Sequence, residues 1–499
     1  MSKASEPSPK RVSSLAATAD DGLVDDHGND GMFAQRPFEV DDDDDVTSPH
    51  AAERELARQM SQLSMPEREA SLYDIHGVSE MVQETPDFVF QKLQELDAAL
   101  SAIEAPSKQA YTQALELDPA YTMSEGLRLK FLRADTFDPV EAAKRMVRHF
   151  ETKLKLFGAE KLTKELGVED LSPEDQEVIE SGWLTLLPLR DTAGRLIMVN
   201  TMPLRCGSAT SRTRFLFVLL CLISKEESDQ RKGLVALGFH NQAKNRPVLP
   251  VDPALAQVSG VVVASSPIKF CSIHACEDKG GPSAVKAFVT KLDAQTRNRY
   301  KWHQIEKGDY NNLHFQLMPF GIPTQVLPLS RDGVYDLTYH REFVKEQRLF
   351  EQEAEQHTSQ ETLLISEPGP NDVKLGREYR LKTHGGNLKY LDMVYSHLEE
   401  YDSLHRFERR KILVKIYNAV KASGGRFVKR TESGDGWLEI PFEVAIDKIS
   451  NAFRTRRKTN KTNSLHRSGG RASPDKVGSS SMSGDGSSQS RSNKRSSRS

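Results

Sequence analysis

Between residue 183 and about residue 330 the hydrophobic period of the chain switches back and forth between two and 3.6, and this alternation constrains the fold more than any other feature. Residues 184–189 and 196–200 read as strands joined by the turn Asp191-Thr192-Ala193-Gly194, residues 214–224 as a buried helix, and residues 233–239 as a third strand. An apolar run, Val261 to Val263, follows. Then come a strand at 269–273 and a helix over about 283–300 whose apolar positions are Val285, Phe288, Val289 and Leu292. Strands alternating with helices over such a length pack as the layers of an α/β domain.

Upstream the pattern is helical. Leu93, Leu96, Leu100 and Ile103 recur at intervals of three and four, so ordered structure is expected from about residue 85. Asp138-Pro139 and Ser172-Pro173-Glu174-Asp175 are helix starts: the first residue accepts from first-turn amides, and proline has its φ preset for the first helical position. Met146, Phe150, Leu154 and Phe157 then form an apolar stripe. Residues 85–182 are therefore expected to be a helical subdomain, and residues 183–345 the α/β domain. Residues 1–80, with the run Asp41 to Asp45, are expected to be mostly disordered apart from a short helix at 51–63.

The 68 Lys/Arg and 71 Asp/Glu nearly cancel, giving a net charge of −3. That balance conceals unlike ends. Residues 1–50 carry four Lys/Arg against twelve Asp/Glu, and residues 451–499 carry twelve against two. The near-neutral total thus excludes neither a membrane surface nor nucleic acid as a partner. The N-terminus lacks the apolar stretch of a signal peptide, and the run Phe215 to Ile223 falls well short of the roughly 18 apolar residues a spanning helix needs. Four cysteines without a Cys-x-x-Cys pair point to a reducing compartment. A cytoplasmic protein with peripheral membrane contact is expected, with the nucleus as the alternative and no transmembrane segment.

The string Leu129-Lys130-Phe131-Leu132-Arg133-Ala134-Asp135, followed by Phe137-Asp138, resembles the helical N-terminal part of the CRAL-TRIO lipid-binding family. Gly194-Arg195-Leu196-Ile197, residues 233–239, Ser266-Pro267-Ile268-Lys269-Phe270 with Ile273-His274, and Leu327-Pro328-Leu329 continue the resemblance over about residues 120–345. It implies a sheet that floors an apolar cavity for one hydrophobic lipid, and no turnover. The carried-over pattern makes residues 283–292 a gating helix, with Val285, Phe288, Val289 and Leu292 lining the cavity; ordinary helix core explains the same four residues. Phe270 lies beside Lys269, which matches a basic position that contacts phosphate in phosphoinositide-transferring members. A solvent-facing lysine at a strand start is the other reading. His240-Asn241 stands where many members have Asp-Gly, which puts phosphatidylinositol specificity in doubt.

After an expected polar helix and linker over 341–370, with the linker bound set at 346–370, Asn371 to Arg377, His384-Gly385-Gly386-Asn387, Ser423-Gly424-Gly425-Arg426-Phe427 and Trp437 resemble a domain of unknown function abundant in diatoms and other stramenopiles, over about residues 371–458. The periodicity reads helix, helix, hairpin, helix, a small α+β module with the general plan of a winged helix. Arg410, Lys411, Arg426, Lys429, Arg430, Arg454 and Arg457 are the candidate phosphate contacts for nucleic acid within residues 371–460, and a solvated basic face on a protein-recruiting module is the competing reading. Residues 459–499, rich in Ser, Arg and Lys, are expected to be disordered.

The sequence contains no Gly-x-x-x-x-Gly-Lys-Ser/Thr loop, no Gly-x-Gly-x-x-Gly after a strand, no Gly-x-Ser-x-Gly and no His-Glu-x-x-His. Cys271-x-x-His274-x-Cys276 has three metal-ligating residue types, but a strand sends Cys271 and His274 to opposite faces. The expected function is non-catalytic, cofactor-free binding or transfer of a hydrophobic lipid, with a DNA-binding nuclear regulator as the alternative.

Overall fold

A computed structural model describes residues 57–58, 61, 63–201, 207–240, 243–244, 253–279, 294–358, 364–376, 383–404, 406–431, 434 and 436–468. It is a mixed α/β body with a helical N-terminal region and a small α+β C-terminal module. Of the short helix expected at 51–63, residues 57–58 and 61 are described and are helical; α1 (Met65–His76) follows in the region expected to be disordered. Its start is written locally: Ser64 and Glu67 form a reciprocal capping box, and Gly77 at φ 68° closes the C-terminus. Its docking is not local, as shown below.

The N-terminal region packs α2 (Pro86–Ala102), α3 (Gln109–Leu117) and α4 (Glu125–Ala134) around α5 (Pro139–Phe157). Asp138 accepts from the amides of Val140 at 2.9 Å and Glu141 at 3.1 Å, as the Asp-Pro start predicts. Leu96, Leu132, Met146 and Phe150 are buried at its centre. Each such side chain contributes roughly 1.5–3 kcal/mol on burial, which allows short helices to persist where isolated ones would not.

The central sheet runs in the order β1-β2-β3-β4-β5, from β1 (Leu184–Leu186), β2 (Leu196–Asn200), β3 (Leu234–Phe239), β4 (Phe270–Asp278) and β5 (Tyr300–Ile305). β1 is antiparallel to β2, and the remaining pairs are parallel. One face is covered by α6 (Pro173–Glu180), α7 (Ala209–Ile223) and α8 (Pro253–Ala264), with Leu186, Met198, Phe215, Leu219 and Val262 in its core. The other is covered by α9 (Tyr310–Leu317) over Val235, Leu237, Cys276 and Ile305. β4 is longer than expected. Tyr300, read as a helix end, instead begins β5, because Tyr300 to Ile305 alternates and pairs with β4. Val285, Phe288, Val289 and Leu292, expected to line the cavity, lie outside the described residues.

The polar helix expected in this region is present but runs further than the linker bound at 346 allows, since residues 346–358 are still helix. They belong to α10 (Thr338–Thr358), whose Phe343 and Val344 sit in the body's core while Phe350 and Ala354 sit in the module's core. The module has a four-stranded sheet, β6-β9-β8-β7, made of β6 (Leu364–Ile365), β7 (Val373–Leu375), β8 (Phe427–Arg430) and β9 (Trp437–Glu439). Against it pack α11 (Gly385–Ser396), α12 (Arg406–Ala422) and α13 (Phe442–Ser468). The expected hairpin is present between β8 and β9, but β7 joins β8 in parallel. Asn387 stands in for a further strand, exchanging two 2.8 Å hydrogen bonds with the backbone of Lys374 on β7.

Candidate functional site

The helix-bearing face of the central sheet carries the register row Leu186, Met198, Ala236, Ile273, Tyr300. Leu186 and Met198 are sealed beneath the helices. Ala236, Ile273 and Tyr300 are only half-buried, as is Trp302 on the adjoining row. This leaves an apolar strip across β3, β4 and β5. On the opposite face Ser272, His274, Cys276 and His303 are buried. There His274 Nδ1 meets His303 Nε2 at 3.0 Å and His274 Nε2 meets Ser272 Oγ at 3.1 Å, with Phe320 packed edge-on. Burial and the neighbouring His303 hold the His274 pKa well below the usual imidazole value, so this is a neutral structural pair. A bulge at the start of β4 sets Cys271 apart, and its thiol donates to the Lys232 carbonyl at 3.3 Å. Among the described residues no group of three or more His, Cys, Asp or Glu could hold a metal ion.

Phe270 is buried in the core beneath the helices, and Lys269 is tied to α1. The buried Asp74 carboxylate accepts from Lys269 Nζ at 2.8 Å and Ser79 Oγ at 2.7 Å through one oxygen, and from Arg299 Nε at 3.0 Å and Nη2 at 2.9 Å through the other. Burial pushes the Asp74 pKa up, but the two cations and the hydrogen bonds more than offset this and hold it below the ordinary carboxylate value. Arg195, itself buried, is fixed by Asp191 at 2.6 Å and donates to the carbonyls of Asp74 and Ile75 at the C-terminus of α1. The residues that follow α1 then cross the amino ends of β2, β3 and β4. Beneath them lies a cleft of about 300 Å³ lined in part by Arg133, Arg195, Arg231, Lys232 and Lys269. Sequence reasoning singled out Lys269 alone; its counter-ions and neighbouring cations come from segments far apart in the chain.

In the C-terminal module most of the candidate nucleic-acid contacts have internal partners. Arg426 makes a forked contact to the buried Asp372, donating from Nη2 at 2.9 Å and from its backbone amide at 2.8 Å. Arg410 donates to Gln347 and lies 4.6 Å over the Phe350 ring, and Lys411 pairs with Glu346 at 3.0 Å, so both hold α10 against α12. Arg454 pairs with Glu226 of the body, and Arg457 with Asp402. Lys429 and Arg430 stand exposed on β8. The helix that a winged-helix plan would send into a groove, α12, has Ile412, Leu413, Val414, Ile416, Tyr417 and Val420 buried.

No helix among the described residues is long and apolar enough to cross a membrane. No curated protein matches the chain. Residues 372–455 match a family described as a domain of unknown function, DUF6824, and the match spans β7 through about the first half of α13.

Proposed function

We propose that the α/β body binds a hydrophobic lipid without turnover, in the way its resemblance to the CRAL-TRIO family implies, and that the C-terminal module recruits it to a partner. The observation that carries this reading is the half-buried strip Ala236, Ile273, Tyr300 and Trp302 on the sheet face that α6, α7 and α8 cover, beside the sealed Leu186 and Met198. An apolar surface of this kind gains roughly 25 cal/mol for each Å² an acyl or isoprenoid chain removes from water. The antiparallel first pair followed by parallel strands supports the same reading. α10 joins the two cores as one helix, so recruitment of the module carries the lipid-binding body with it. Incubating the purified full chain with liposomes, reisolating it and weighing it by native mass spectrometry should give one lipid per chain. An unliganded mass after exposure to neutral, anionic and sterol-containing liposomes sinks the proposal.

A further inference from the structure

We propose that Met32 to Val40, the apolar stretch of the acidic head, covers an exposed patch that α1 and α9 build together. The His76 ring at the end of α1 stacks on Phe320, just after α9, with centroids 5.3 Å apart and planes 16° from parallel. The turn between β1 and β2 closes this junction: Gly77 abuts Ala193, and the Thr192 amide donates to the Gly321 carbonyl at 3.1 Å. Leu72 lies one helical turn before His76 on the same stripe of α1, and Met65 lies two turns further back. On the other side of the stack Met318 and Phe315 stand one turn apart. Met65 is 73% exposed, Leu72 50%, Met318 55% and Phe315 71%, so both helices turn large apolar side chains outward.

A contiguous apolar surface of this kind marks a binding face, and its chemistry selects the occupant. The outward residues of α9 and the turn after it, Asn311, Asn312, Phe315 and Met318, carry no charge. Glu69, the carboxylate on the α1 stripe, accepts from the Tyr73 hydroxyl. The segment Met32-Phe33-Ala34-Gln35-Arg36-Pro37-Phe38-Glu39-Val40 matches this surface: it holds both aromatic residues of the first 56, and its one cation and one anion cancel. The patch also begins beside the point where the head leaves the described chain, which starts at residue 57, eight residues before Met65. The intervening stretch from Asp41 to Ser64 spans at most roughly 80 Å when extended, several times the length of α1, about 18 Å. A tether of this kind holds its end at an effective concentration on the order of 1 mM, so a weak contact is enough. Docked there, the head is an internal competitor for any apolar partner of this face. α9 covers the sheet face opposite the half-buried strip, so the proposal does not depend on the lipid reading.

The test compares the full-length wild type with the full-length double variant Phe33→Ser/Phe38→Ser over a range of protein concentrations. Dilute peroxide oxidises accessible thioethers, and peptide mass spectrometry reads Met318 against the fully buried Met146. Met318 should oxidise about fivefold or more slowly in the wild type than in the variant, the protection that a contact with a Kd of about 0.2 mM gives at that effective concentration. Met146 should stay equally slow in both, which shows that the body keeps its fold. From the other side of the contact, Phe315→Ser in the full chain should speed chymotryptic cleavage after Phe33. Equal Met318 rates in wild type and double variant overturn the proposal, as does cleavage after Phe33 that ignores Phe315→Ser. A Met318 rate that falls as the protein is concentrated and is indifferent to the head substitutions also overturns it, because the patch then belongs to a second copy of the chain.

Discussion

The ammonium of Lys269 at the start of β4 lies 2.8 Å from the carboxylate of Asp74 in α1, across 195 residues of sequence. The pair, completed by Arg299, fastens α1 to the body. Ile75 is the only large apolar side chain that α1 buries, whereas Met65, Leu72 and Tyr73 stay exposed. α1 is thus held chiefly by polar contacts.

Replacing Asp74 with Asn should therefore release α1. Removing one partner of a buried pair leaves the others uncompensated, a loss of about 3 kcal/mol here, at the lower end of the usual range because Lys269 and Arg299 keep 19% and 15% exposure. The lowered pKa of Asp74 gives the sign with pH: its contribution is complete above the unfolded value of about 3.8 and is lost as the pH falls through the lower folded value. Hydrogen exchange at residues 65–76 should be fast in Asp74→Asn at neutral pH and fast in the wild type only in strong acid. Equal protection of the two proteins at neutral pH would refute the latch.

His149 supplies a second acid limb. It is buried, stacks on Phe217 at 5.0 Å and meets the Ser265 carbonyl at 3.1 Å, and burial with Lys153 beside it pushes its pKa down to about 3. The unfolded chain takes up this proton near pH 6.5 and the folded chain does not. Stability should fall by up to about 1.4 kcal/mol per pH unit between those two values. Urea unfolding of His149→Phe should show a shallower slope between pH 6 and 4 than the wild type; parallel slopes would show that His149 does not titrate in this way.

Gly386 packs against the backbone at Asp372, and a Cβ there would lie 2.2 Å from the Asp372 carbonyl oxygen. Gly386→Ala should destabilise the C-terminal module by about 2 kcal/mol or more, since backbone cannot give way as a flexible side chain can. Gly260, inside α8 with nothing within 4 Å, should tolerate the same change and gain roughly 0.5–1 kcal/mol from helix propensity. Thermal melts of the two variants should move in opposite directions.

The module also leans on the body through Arg454 and Glu226. With side chains 27% and 21% exposed, the pair should couple by about 0.5–1 kcal/mol in a double-mutant cycle. Charge reversal at both positions together should recover most of what either reversal alone loses, read as the melting temperature of the full chain. Additive losses would mean the contact carries no coupling.

For the lipid reading, Ala236→Phe should fill the strip between Met198 and Ile273. The expected result is loss of lipid uptake with secondary structure unchanged by circular dichroism. Unchanged uptake by the folded variant would move the ligand away from this face.

What the sequence determined by itself is the set of features that depend on neighbours along the chain. The Asp138 and Ser172 helix starts, the β1–β2 hairpin, the alternation in β3 and the hairpin of the C-terminal module were all legible, because capping and side-chain alternation act over two to five residues. α1 was hidden because its sequence is polar overall and its docking depends on Lys269, Arg299 and Arg195. A polar helix was legible within residues 341–370, but not its extension through 346–358, because its apolar partners lie in two different cores. The basic residues of the C-terminal module were legible as cations, but only the tertiary structure decided that Arg426, Arg454 and Arg457 have carboxylate partners and that Lys429 and Arg430 stand exposed. Local sequence sets propensity and charge; which charges are compensated is a property of distances between segments remote in the chain, and packing of the cores sets those distances.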